Sequence, residues 1–149
     1  MTIGRLLLAV GGAMSLVASL VHLAAIIGGP NWFRWIGAGE RIARRVETGD
    51  KSPIILTVGI AAALMVIAIA AFAGAGIIRP IPLTRFVLIL ASAVYLARGM
   101  ALFAPKLLRR PDLSPAFVVV SSAIVLIMGI AYAAGTALQW PHLSNQGAT

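Results

Sequence analysis

The four acidic residues of this 149-residue chain, Glu40, Glu47, Asp50 and Asp112, all lie outside its four long apolar runs. The runs cover about residues 6–28, 53–78, 83–104 and 115–139. A helix needs ~20 apolar residues to cross the hydrocarbon of a bilayer, and each run meets that length. The apolar residues are continuous rather than alternating, which excludes barrel strands. A helix also satisfies its backbone hydrogen bonds internally, as lipid requires. The expected fold is therefore all-α, a four-transmembrane-helix bundle forming a single integral membrane domain over residues 1–149. Composition agrees: 11% of residues are charged, against ~25% in soluble domains. A soluble globular domain and a disordered chain are both excluded.

Punctuation refines the spans. Arg5 precedes the first run, as in a signal peptide, but a secretory apolar core is only ~7–15 residues long. This run continues through His22 to Ile27, so a retained helix is expected. Pro53 suits a first helical turn. Pro82 and Pro105 bracket the third run, and Trp140-Pro141 closes the fourth. The tail, residues 142–149, is short and polar and is expected to fray.

The net charge is +8. In a soluble protein that would suggest nucleic acid. Here the basic residues cluster in loops, where they set topology and meet anionic head groups, and no nucleic-acid partner is expected. Arg34, Arg41, Arg44, Arg45 and Lys51 lie in the first loop, and Lys106, Arg109 and Arg110 in the third, making eight on one side of the membrane. Arg5, Arg79 and Arg85 make three on the other. The positive-inside rule puts the eight in the cytoplasm and both termini outside.

The first loop predicts a further helix over residues 32–48, capped by Asn31. At about 100° per residue, Trp32, Trp35, Ile36, Gly39, Ile42, Ala43 and Val46 share one face. Arg34, Arg41 and Arg45 lie opposite, with Arg44 beside them. This pattern fits an interfacial amphipathic helix in the head-group plane. Its tryptophans and arginines, together with Arg109 and Arg110, would form the lipid head-group contacts. Glu40 and Glu47 sit on the edge of the apolar face rather than on the basic back.

Two spans carry inward-type stripes. Gly12, Ser15, Ser19, His22 and Ile26 line up along the first, and Ser122, Gly129, Tyr132 and Thr136 along the fourth. Small and polar residues favour close helix contact over lipid. His22 lies six residues before the end of the first span, and Arg98 six before the end of the third. At 1.5 Å per residue both sit roughly 10 Å below the interface. Ser122 has a similar depth, and Tyr95 is one turn deeper. These residues predict a polar ligand-binding site of His22, Tyr95, Arg98 and Ser122, closed by the helix bearing Glu40 and Glu47. The plainer alternatives are an Arg98 that snorkels to the interface and a His22 that makes an interhelical hydrogen bond.

The residue inventory excludes several chemistries. There is no cysteine, hence no thiol redox or Fe–S chemistry. Only His22 lies at membrane depth, so a haem held by two histidines is excluded. No span holds the carboxylate that a proton-coupled small multidrug exporter needs. No cofactor and no metal site are expected.

In size and four-helix layout, with GGPNWFRWIGAGE after the first helix and VYLARG late in the third, the chain resembles small bacterial membrane proteins of the DoxX-like families. That resemblance implies a link to membrane redox complexes; in a bacterial inner membrane, the expected location, the charge bias above makes both termini periplasmic. The segment ERIARRVE, Glu40 to Glu47, is similar to the E-R-x-x-R stretch of the membrane-associated eicosanoid and glutathione metabolism family. It implies four helices and a glutathione grip by Glu40, Arg41, Arg44 and Arg98. The chain departs from that pattern in lacking the Asn after the arginine motif and a Tyr following Arg98.

The first reading is a non-catalytic inner-membrane protein, either a small subunit of a membrane complex or a binder of a lipid- or quinone-like molecule. Its expected partners are the bilayer's anionic head groups and a membrane-complex protein or a second copy of the chain. The alternative is a glutathione-transferase-like membrane enzyme acting on a lipophilic substrate. A transporter is disfavoured, because no span is acidic and no inverted repeat is visible.

Overall fold

The computed structural model describes residues 1–103 and 113–145 of the chain. In chain order the helices are α1 (Ile3–Gly28), α2 (Pro30–Trp35), α3 (Glu40–Glu47), α4 (Ser52–Gly74), α5 (Thr84–Gly99), α6 (Pro115–Leu138) and α7 (Trp140–Asn145). A 3₁₀ turn, Met100–Leu102, continues α5. Among the described residues, α1, α4, α5 with its 3₁₀ turn, and α6 are long and apolar enough to cross a membrane. The chain is a multi-pass membrane protein with an all-α bundle.

The four long helices form a closed ring. α1 packs most extensively on α4 and α5 on α6, while α1–α6 and α4–α5 contacts complete the circuit. Neighbours in the ring are antiparallel. Thr2, which caps α1, accepts a hydrogen bond from Gln139 Nε2 at the end of α6 (2.9 Å). Arg5 reaches the opposite helix end, donating from Nε to Ala75 O (2.6 Å) and from Nη2 to Gly76 O (3.2 Å). Carbonyls at a helix C-terminus lack intrahelical partners and carry partial negative charge. Arg5 supplies both a donor and a cation at the end of α4.

Small residues set the helix spacing. A Cβ on Gly99 would lie 2.6 Å from Leu126 Cα, and one on Gly129 would lie 2.8 Å from Leu96 N. The backbones of α5 and α6 therefore approach through two glycines, the close contact that small residues permit in lipid. The stripes on α1 and α6 face inward. Gly12, Ser15 and Ser19 are buried on one, and Ser122, Gly129, Tyr132 and Thr136 on the other. Ser19 donates to Ala61 O on α4 at 2.8 Å, so that stripe also ties helices together.

Three expectations need correction. The helix expected over residues 32–48 is two helices with a turn at 36–39. Gly37 (φ 78°) and Gly39 (φ 94°) take left-handed conformations there, which cost a glycine little. A Cβ at Gly37 would collide with the ring of Phe117, so the bend seats the backbone against α6. The Asn31 cap is also wrong. α2 begins at Pro30 behind Gly29, and Asn31 Oδ1 instead accepts from Arg34 Nη1 (3.1 Å). A proline at the first helical position has no N–H to leave unsatisfied. Finally, the described part of the tail is helical. Trp140 and Pro141 open α7, and Leu143, 2% exposed, packs with Leu8 and Leu88 across the end of the bundle. Its apolar side chain outweighs the polar residues beside it.

Candidate functional site

The residues expected to form one polar site occupy three places. Tyr95 belongs to a buried hydroxyl cluster at mid-bundle. Ser15 Oγ lies 2.9 Å from the Tyr95 hydroxyl and 2.8 Å from that of Tyr132. One serine hydroxyl donates a single proton but accepts two, so at least one tyrosine donates to it. The two rings sit 5.4 Å apart at 51°. This cluster joins α1, α5 and α6 and satisfies three hydroxyls that lipid would leave unpaired. Ser15 and Tyr132 were visible in the sequence as stripe residues, but their partnership with Tyr95 was not.

Arg98 and Ser122 do meet. Arg98 Nη1 donates to Ser122 Oγ at 2.9 Å, joining α5 to α6. The α-helical part of the third span ends at Gly99, earlier than the expected boundary near residue 104. Arg98 consequently lies in the last turn of α5, where a cation opposes the negative end of the helix dipole.

His22 faces a different region. Its Nδ1 is 2.7 Å from Ala18 O one turn earlier. A carbonyl only accepts, so Nδ1 carries the proton in this bond, and a neutral ring would present Nε2 as an acceptor. His22 lines a cleft of about 340 Å³ together with Phe33, Gly37 and Arg41 of the α2–α3 region and Thr57 and Ile60 of α4. Phe33 is 1% exposed. Leu56 and Ile60, also on the cleft wall, are exposed on the flank of α4. The cleft is therefore walled by apolar groups and opens along a membrane-spanning helix. Arg41 is its cation. Sequence reasoning placed Arg41 at the head groups but missed its convergence with His22, which depends on the bend at 36–39.

Glu40 and Glu47 face Arg34 and their own helix rather than Arg98. Arg34 Nε donates to Glu40 Oε2 and Nη2 to Glu47 Oε1, both at 2.7 Å. Arg44 Nε donates to Glu40 Oε1 at 3.0 Å. The hydrogen bond from Arg34, reinforced by that from Arg44, pulls the Glu40 carboxyl down to about 2. The two carboxylates in turn strengthen the hold of Arg34 on its proton. Asp50 also falls to about 2, through hydrogen bonds from Ser52 and then Arg45. This network pins α2 to α3. Among the described residues, ion pairs occupy Arg34, Arg44 and Arg45, and none involves Arg41.

Trp32 and Trp35 pack edge to face, with centroids 5.7 Å apart. Both are exposed, and Phe33 between them is the buried residue of α2. Arg109 and Arg110 lie outside the described residues.

Comparison of the chain with models of known protein families, with characterised proteins and with solved structures finds no match in any of the three. The two resemblances noted above rest on their own residues.

Proposed function

We propose that this chain is a non-catalytic membrane protein that holds a lipid- or quinone-like amphiphile, alone or as a small subunit of a membrane complex. One observation carries this reading: the cleft between α1, α4 and the α2–α3 region joins apolar walls to a histidine and an arginine. Ligand pockets commonly combine an apolar lining with a few placed polar groups. This one is continuous with the exposed flank of α4, so a ligand can enter from the bilayer without crossing water. The loop charge bias supports a cytoplasmic position for this end and periplasmic termini in a bacterial inner membrane.

The glutathione-directed alternative needs Glu40, Arg41, Arg44 and Arg98 as one anion grip. Glu40 and Arg44 bond each other, and Arg98 bonds Ser122 on α6, so the geometry adds no support to it.

Native mass spectrometry of gently extracted protein tests the reading. The wild type is expected to retain an amphiphile that Thr57→Trp, which fills the cleft, expels while the melting temperature holds. Equal retention by both proteins would remove the cleft from the proposal. Turnover of a lipophilic substrate by the isolated chain would overturn its non-catalytic part.

A further inference from the structure

The cleft has a polarity order as well as a polar lining. Arg41 lies on α3, outside the spans, while His22 lies six residues inside the end of α1. At 1.5 Å per residue that is about 9 Å of depth. A ligand entering along Leu56 and Ile60 therefore meets an apolar wall, then a hydrogen-bond acceptor, then a cation at the mouth. Most glycerolipids do not match this sequence. Their phosphate suits Arg41, but the glycerol carbons below it carry two esters, which only accept hydrogen bonds and cannot donate to Nε2 of a neutral His22.

We infer that the cleft selects a single-chain anionic lysophospholipid drawn from the bilayer, with its phosphate on Arg41, its free glycerol hydroxyl donating to His22 Nε2, and its chain along Leu56 and Ile60. The inference rests on the reading of this cleft as an amphiphile site and adds the ligand's class. Three features favour it. Arg41 is exposed and has no ion-pair partner among the described residues, whereas its neighbours Arg34, Arg44 and Arg45 are paired. The hydrogen bond from Nδ1 to Ala18 fixes the His22 tautomer that accepts a hydroxyl proton. The volume of about 340 Å³ lies at the small end of ligand pockets, room for one head group and the start of one chain.

The test uses the full-length protein in lipid nanodiscs, with ligand occupancy read by native mass spectrometry. The probes are palmitoyl lysophosphatidic acid, its analogue lacking the glycerol hydroxyl, palmitoyl lysophosphatidylcholine, a two-chain phosphatidic acid and a ubiquinone. Wild-type protein is expected to bind lysophosphatidic acid about tenfold more tightly than the analogue without the hydroxyl, the scale of one good hydrogen bond. His22→Phe should abolish that preference while keeping the melting temperature. Arg41→Gln should abolish the preference over lysophosphatidylcholine and leave the hydroxyl preference intact. Equal binding of the two analogues by the wild type, or a preference that survives His22→Phe, overturns the inference. If phosphatidic acid or ubiquinone binds and is expelled by Thr57→Trp while lysophosphatidic acid is not, the lysolipid assignment falls and the amphiphile cleft stands. If no probe responds to Thr57→Trp, both fall.

Discussion

Arg98 donates to Ser122 across the α5–α6 contact, 2.9 Å from Nη1 to Oγ, from the last turn of its helix. Among the described residues, the guanidinium is held by this hydroxyl and by the dipole of its own helix. Ser122 is fully buried and Arg98 is exposed, so removing the hydroxyl deletes the α5–α6 hydrogen bond without stranding a buried cation. Ser122→Ala is expected to destabilise the bundle by about 0.5–2 kcal/mol, measured by thermal or SDS unfolding. In an Arg98→Leu background the same change should cost nearly nothing. An unchanged cost there would show that the hydrogen bond carries no energy.

The glycine contact between α5 and α6 gives a sharper contrast. Gly99→Ala places a methyl 2.6 Å from the Leu126 backbone, and overpacking of this kind costs typically 1–3 kcal/mol. Gly59 on α4 has nothing within 4 Å of its added Cβ. Gly59→Ala is expected to be neutral or stabilising by up to ~1 kcal/mol from helix propensity. Similar melting temperatures for the two variants would contradict the packing described for α5 and α6.

Acid should loosen the α2–α3 pair. Glu40 titrates near 2 in the folded protein against an ordinary 4.5, so its ionised form is the one the fold favours. Stability from this network is complete above the ordinary value and lost as pH falls toward the folded one. Fluorescence from Trp32 and Trp35, in a variant lacking Trp140, is expected to stay flat from neutral pH to about 5 and change below it. Glu40→Gln should remove much of that acid transition. Asp50, which titrates in the same range, bonds Arg45 and Ser52 between α3 and α4 and is not part of the α2–α3 tie. A transition unchanged by Glu40→Gln would assign it elsewhere.

Orientation is open to direct labelling because the chain has no cysteine of its own. With Thr48→Cys in the basic first loop and Gly147→Cys in the tail, an impermeant thiol reagent applied to intact cells is expected to reach only the second. The reverse pattern would place the basic loops outside, against their charge bias.

The number of spans and the inward faces of α1 and α6 were legible in the sequence for one reason. Lipid forces each span to close its own backbone hydrogen bonds, and small or polar residues then mark the faces that meet other helices. Both signals are local and periodic, so a single chain displays them. Arg98 and Ser122 could be matched by depth for the same reason, since rise per residue is fixed. The azimuth of one helix relative to the next is not written in that way. Tyr95 and Arg98 lie three positions apart on α5, yet the packing gives Tyr95 to Ser15 and Tyr132 and Arg98 to Ser122. His22 shares its stripe with Ser15 but meets the α2–α3 region instead. The bend at 36–39 was hidden because an amphipathic count passes through Gly37 and Gly39 as if they were helical. Contact with Phe117 on α6, 80 residues along the chain, helps give that bend its place. Periodicity along the chain determined what could cross the membrane, and the packing of distant helices decided which polar groups met.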